Sequence, residues 1–222
     1  MTQKHLVRIA DWGVTEEAVI FGDDFVLARI APGADVLDIG CGRGLFDAKV
    51  AARARSVTGI DIMPEEIDAA RASGRGANVR FVVHDAEQVA RLPGVFDAVI
   101  SRFTFHHLDM DRVAEGIAAK LKPGGRLIAI DCFEDFWKLR GSLFVLRDAA
   151  RRLGLRRMIA LLPRLLFFFT PKRRAHVAGD IGRIKAEGRY RYEDFGAFYG
   201  QRFPGAEIGR IGCAAYIDWK KP

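Results

Sequence analysis

The chain is short of several things at once. Its 222 residues include three cysteines, Cys41, Cys132 and Cys213, far apart and with no Cys-x-x-Cys pair. They are too few and too scattered for a disulfide framework, and they lack zinc-finger spacing. There is no internal repeat and no low-complexity tract. Half of the residues are hydrophobic, which excludes a disordered or fibrous chain. No apolar run reaches the roughly 20 residues that a membrane-spanning helix needs. The most apolar stretch, residues 158–171, is interrupted by Pro163 and Arg164. The first ten residues carry no continuous apolar segment, so a secretory leader is not expected. The resulting expectation is one cytoplasmic domain with a single sizeable core.

Acidic residues are what the second part of the chain lacks. Residues 1–135 hold 16 Lys and Arg against 21 Asp and Glu, whereas residues 136–222 hold 19 against 7. Within 138–174 there are 11 basic residues and one acid, Asp148. The overall charge of +7 therefore does not describe the whole molecule. It combines an acidic module with a strongly basic segment, and the two can do different jobs.

Apolar runs and helix-like runs alternate through the acidic module. A helix is expected from Thr15 to about Ile30, closed by Pro32-Gly33. Strands are expected at 34–39, 56–60, 78–83, 95–101 and 126–131, with a turn at Lys122-Pro-Gly-Gly125 before the last. Helices are expected at 45–53, from Pro64, and at 109–121. The strands are continuous apolar runs rather than alternating ones. That pattern predicts an α/β fold, a doubly wound parallel sheet covered by helices on both faces. In such sheets ligands sit beyond the carboxyl ends of the strands. Further on, Leu139, Leu143, Leu146, Ala150 and Leu153 fall on one helical stripe, with Arg140, Arg147 and Arg151 beside it. A second helix is expected at 156–170, a third at 192–203, and a terminal antiparallel pair at 206–211 and 214–219.

The most informative stretch is Val36-Leu-Asp-Ile-Gly-Cys-Gly-Arg-Gly44. Glycines between a strand and a helix let backbone approach a nucleotide-like ligand. A dinucleotide fingerprint would place its third glycine at position 45, which is Leu45. Asp38, two residues before the first glycine, would repel a pyrophosphate but suits a cation such as an α-ammonium. Asp61 ends the second strand, where a carboxylate can accept bonds from a ribose diol. Asp85 follows the third strand and can either take an adenine amine or cap a helix at Ala86. Together the three acids match an ammonium, a diol and an adenine along one ligand. Asp61 suits the ribose of NAD or of S-adenosylmethionine alike, and it is Asp38 and Leu45 that argue against a nicotinamide-dependent oxidoreductase.

The segments VLDIGCGRG, TGIDIMPEEIDAAR, VVHDAEQV, FDAVISRFTFHHL and LKPGGRLIAID resemble, in order and spacing, the class I S-adenosylmethionine-dependent methyltransferases. The likeness is strongest to the ubiquinone and menaquinone biosynthesis type and covers roughly residues 30–133. It implies a Rossmann-like sheet of seven strands, mostly parallel, with an antiparallel C-terminal strand. It implies S-adenosylmethionine as cofactor. Asp38, Gly40, Cys41 and Gly42 would hold its methionine part, Asp61 the ribose, Ile62 one face of the adenine, and Asp85 and Ala86 the adenine edge. Ser101 would contribute backbone at the ammonium end. The Asn/Asp-Pro-Pro-Tyr motif of amino-methylating enzymes is absent after the fourth strand, where the chain reads Ser101-Arg-Phe-Thr104.

Methyl transfer from a sulfonium needs mainly alignment, and a general base only where the acceptor must lose a proton. The candidates for that base are His106, His107 and Asp131, with His176 further off; packing and capping are the alternative for each. Cys41 and Cys132 read as small buried thiols, and no metal site is expected. Residues 136–188 stand where this family carries its substrate cap. The basic, apolar segment 137–174 fits a lid over a small or lipid-like acceptor, a peripheral contact with anionic membrane, or, less well, an RNA-binding arm. Residues 189–222 are expected to complete the sheet. A binding module that keeps the cofactor pocket without catalysis is the remaining alternative.

Overall fold

In the computed structural model, which describes residues 22–137, 147 and 171–222, seven strands form one sheet. The side chains of 136–137 and 171–177 lie outside that description. The strands are β1 (Asp35–Ile39), β2 (Ser56–Asp61), β3 (Val79–Val83), β4 (Phe96–Arg102), β5 (Leu121–Cys132), β6 (Glu207–Ile211) and β7 (Ala214–Lys220). Their order is β3-β2-β1-β4-β5-β7-β6. The first five strands run parallel, and β7 returns antiparallel between β5 and β6. The expected Rossmann-like α/β fold is therefore present, including the reversed C-terminal strand.

Side-chain alternation divides the core into two layers. Leu37, Val99 and Leu127 face a layer completed by Val113 and Ile117 of α4 (Met110–Lys120) and by Phe195 and Tyr199 of α7 (Tyr192–Arg202). Val36, Ile100 and Ile128 face the other layer, with Val26 of α1 (Asp23–Leu27) and with Phe46 and Val50 of α2 (Leu45–Ala51). Helix α3 (Pro64–Ala72) starts on a proline whose missing N–H costs nothing there, and it packs Ile67 and Ala70 on Phe81. Asp109 caps α4 by accepting from the Asp111 amide at 3.1 Å. A short helix, α5 (Glu134–Trp137), follows β5, and α6 (Pro171–Ala186) precedes α7.

Two expectations need correction. Helix α1 covers only Asp23–Leu27 and starts at Gly22, which has φ +92°; residues 1–21 lie outside the described part. The turn expected at Lys122–Gly125 is instead an irregularity inside β5. Phe96 pairs with Leu121 and Ala98 with Arg126, so four residues bulge opposite one. The bulge holds its shape because the Gly124 amide donates to Lys221 O and the Lys221 amide to Gly125 O. The leucine stripe on 139–153 and the helix expected at 156–170 fall almost wholly outside the described residues.

The register fixes where a ligand can sit. Ile39 lies opposite Ile60 on one side and Ser101 on the other. The carboxyl ends of β1, β2 and β4 are thus level, and the strand order reverses between β1 and β4. A crevice outside a doubly wound sheet opens at such a point.

Candidate functional site

The glycine loop is pinned to the end of β2. The amides of Gly40 and Cys41 both donate to Ile60 O, at 2.8 and 3.0 Å. The Gly42 amide donates to Asp61 Oδ2 at 3.0 Å, and the Met63 amide to Asp61 Oδ1 at 2.9 Å. Gly40, Gly42 and Gly44 all have positive φ, +77°, +52° and +70°. A Cβ on Gly40 would lie 2.1 Å from Thr104 Oγ1, and one on Gly44 2.2 Å from Phe81 Cζ. Gly40 and Gly44 therefore need glycine on both conformational and steric grounds, and Gly42 on conformational ones. The loop forms a close backbone cradle, as a nucleoside-bearing cofactor requires.

Three acids stand along this rim. Asp38 is buried beneath the loop, where burial pushes its carboxyl up to about 7 against the pull of Arg102. Asp61 is half-buried and also raised by burial, an effect its three backbone N–H donors partly offset. Asp85 does what the capping alternative expected: its Oδ1 accepts from the Glu87 amide at 3.0 Å, at the start of a 3₁₀ turn over Ala86–Arg91. Ala86 is buried and Ile62 half-buried beside them. Ser101 spends its hydroxyl on Ile39 O at 2.9 Å, locking β4 to β1.

On the far side of the crevice, β4 leads into a 3₁₀ turn, Phe105–His107. Phe103 enters it at φ +55°, a strained value for an aromatic residue, and its amide donates to Ile130 O. His106 is buried, with Nδ1 2.7 Å from Asp131 Oδ1 at the end of β5. That contact lets the ring donate from Nδ1 to the carboxylate and fixes its orientation. His107 packs against it with ring centroids 3.9 Å apart and planes tilted by 46°, and lies 3.5 Å from Asp180 of α6. Burial first, and then the neighbouring His106, lower the His107 ring to about 4, so it is neutral at physiological pH. Ligand-type atoms of His106, His107 and Asp180 lie within 4.8 Å of one another, as do those of His106, Asp131 and Cys132. The sequence pairs the histidines but gives no sign of Asp180, which comes from 73 positions further along.

Arg189 also escaped the sequence reading, where it counted among the charges of a basic segment. It is 1% exposed, and its Nη1 donates to Phe105 O and to the Tyr199 hydroxyl, its Nη2 to Leu108 O. Arg183 adds a bond to His107 O at 2.8 Å. Two guanidinium groups therefore hold the turn that carries both histidines. Cys132 is the buried thiol expected, whereas Cys41 is only half-buried; burial and the neighbouring acids hold both protonated. The side chain of His176 lies outside the described residues.

Comparison with known proteins agrees with this geometry. The family described as a methyltransferase domain matches residues 37–129. A ubiquinone biosynthesis O-methyltransferase of Xanthomonas campestris pv. campestris (strain B100) is 40% identical over 109 residues, 47% of this chain and 46% of that protein. A protein of the same name from Xylella fastidiosa (strain M23) is 38% identical over 109 residues, covering 47% and 44%. The chain thus spans about half the length of the curated relatives it matches. Among solved structures, a SAM-dependent methyltransferase from Aquifex aeolicus shares the fold at TM-score 0.61 and 18% identity, over 96% of this chain and 97% of that one. Residues 37–129 thus resemble a methyltransferase domain, and the sheet has the fold of the Aquifex aeolicus structure.

Proposed function

We propose that the protein transfers a methyl group from S-adenosylmethionine to an oxygen of a small or lipid-like organic acceptor. The observation that carries this reading is the set of carboxylates, Asp38, Asp61 and Asp85, at three strand ends around a glycine loop with no room for side chains. Asp38 with Gly40, Cys41 and Gly42 would hold the methionine end. Asp61 would hold the ribose, Ile62, Asp85 and Ala86 the adenine, and Ser101 sets β4 against the loop. When bound, the cofactor supplies an electrophilic methyl group on a positively charged sulfur.

Asp131 orients His106, whose Nε2 takes the proton that a hydroxyl acceptor must lose. The neutral His107 packs the opposite side of that ring. A buried dyad of this kind serves phenolic or enolic acceptors, which fits the O-methyltransferase relatives. Residues 136–188 form the acceptor cap in this reading, and 189–222 complete the sheet. No described helix is long and apolar enough to cross a membrane. The basic segment 137–174 would instead meet anionic lipid at its surface, a contact that vesicle co-sedimentation at low and high salt measures.

Ligand-induced thermal stabilisation tests the cofactor. S-adenosylhomocysteine is expected to raise Tm and NAD(H) to leave it unchanged; the reverse pattern overturns the proposal in favour of an oxidoreductase. Binding without methyl transfer to any of a panel of phenols and catechols would leave a binding module.

A further inference from the structure

Helix α2 carries a carboxylate that the reading so far does not use. Asp47 lies in its first turn and is fully buried, on the side that faces β1 and β2. No hydrogen-bond donor of another residue reaches either of its oxygens among the described residues. Its space exists because β2 has glycine opposite: a Cβ on Gly59 would lie 3.0 Å from Asp47 Oδ1 and 2.9 Å from Cys41 Sγ. Asp38 is the register partner of Gly59 and shares with Val36 the side of β1 on which α2 packs, so the two carboxyls converge on one point of the sheet. Two buried carboxylates without a cation between them repel strongly, and one proton removes the conflict.

We propose that Asp38 and Asp47 form a proton-sharing carboxyl pair, which releases its proton when the cationic end of the cofactor binds. The proposal rests on the cofactor reading above. The groups facing the pair come from every element packed on it. Asp61 of β2 adds negative charge, and the Cys41 thiol stays protonated. Among the described residues the cation acting on both acids is Arg102 of β4, whose guanidinium is bonded to Asp23 of α1; Asp23 also takes Lys49 at 2.7 Å. Arg102 is thus shared with another acid and only partly offsets the pair. Burial raises both carboxyls, Asp38 to about 7 and Asp47 well above the usual carboxylate range. With its proton the pair carries one negative charge. An arriving ammonium adds a positive charge beside it, the proton leaves to solvent, and the pair then carries two.

Proton and cofactor therefore compete for one site. Calorimetric titration of the full-length protein with S-adenosylhomocysteine, in buffers of different ionisation enthalpy, counts the protons released. The wild type is expected to release close to one near pH 7, and its affinity to rise by up to about tenfold per pH unit where the pair titrates. Asp47→Asn keeps the shape and gives Asp38 an amide donor in place of the shared proton, so proton release and the pH slope should both fall sharply. An unchanged proton count in Asp47→Asn, or wild-type binding with no proton exchange, overturns the proposal. Infrared difference spectra of the ligand-free protein give a second measurement. A protonated-carboxyl band at neutral pH that Asp47→Asn removes is expected, and its absence overturns the pair. Failure of the wild type to bind S-adenosylhomocysteine overturns the cofactor reading and the ligand half of the proposal, while the infrared band still decides the pair.

Discussion

The two ends of the sheet treat their acids in opposite ways. At the amino ends of the parallel strands every prominent carboxylate has a cation. Asp35 takes Arg55, Ser56 and Lys122; Asp97 takes Lys122 at 2.8 Å; the buried Asp218 is gripped by Arg126 at 2.6 and 2.7 Å and by Arg29 at 2.7 Å. Arg55 above all, with Ser56 and Lys122, holds the Asp35 carboxyl well below its usual range. Lys122 and the Asp35 amide outweigh desolvation in lowering Asp97. At the carboxyl ends Asp38, Asp47 and Asp61 are all raised, with burial the leading cause. One set of acids holds strands together. The other is kept short of cations, as the proposed cofactor site requires.

The strongest way to sharpen this contrast is at the dyad. His106→Ala should reduce kcat by about 10²–10⁴-fold on a hydroxyl acceptor and leave cofactor binding intact, in steady-state kinetics beside a binding titration. At the other end Asp218→Ala should act on stability alone. It strands Arg29 and Arg126, and because both arginines are partly exposed the loss should be about 2–3 kcal/mol by urea unfolding, below that of a fully buried pair. Asp61→Ala should weaken cofactor binding by about 1.5–3 kcal/mol, with a smaller effect on folding; equal damage to both would erase the distinction between the two ends.

The smallest effect is in the pH dependence of stability. A carboxyl raised in the folded state contributes stability that is full below its unfolded value, 3.8, and is lost as pH rises through about 7. The lowered Asp35 and Asp97 have the opposite sign: their contribution is present above 3.8 and is lost as pH falls through their folded values. The ligand-free protein should therefore lose Tm between pH 4 and pH 7 relative to Asp47→Asn, and the two curves should converge at the acid end.

The cofactor side of this fold was legible because its signals are local. The nonamer 36–44 contains its strand, its glycines and Asp38 in one run, and each later acid directly follows a strand. The histidine side was only half legible. Residues 106 and 107 are adjacent in sequence, but what fixes them, Asp131, Asp180 and Arg189, arrives from three separate elements. Arg189 looked like one more charge in a basic stretch, since nothing in composition marks a guanidinium that will be sealed under α7. Asp47 was missed for a related reason. Read as part of a helix it is an ordinary polar residue in a first turn, and only the neighbouring Gly59 shows that its side chain points inward. The β5 bulge was read as a turn because Pro-Gly-Gly carries the same local signal in both.

The guanidinium contacts at Phe105, His107 and Leu108 span 76 to 84 residues of sequence. They set an order of assembly during synthesis. A growing chain that has reached the end of β5 already contains every residue of the cofactor cradle, together with His106 and Asp131. The clasp on the histidine turn still waits for residues 183–199. In the proposed reading, the half of the site that grips the cofactor is thus complete first, and the half that faces the acceptor is finished only when residues 183–199 fold back over it.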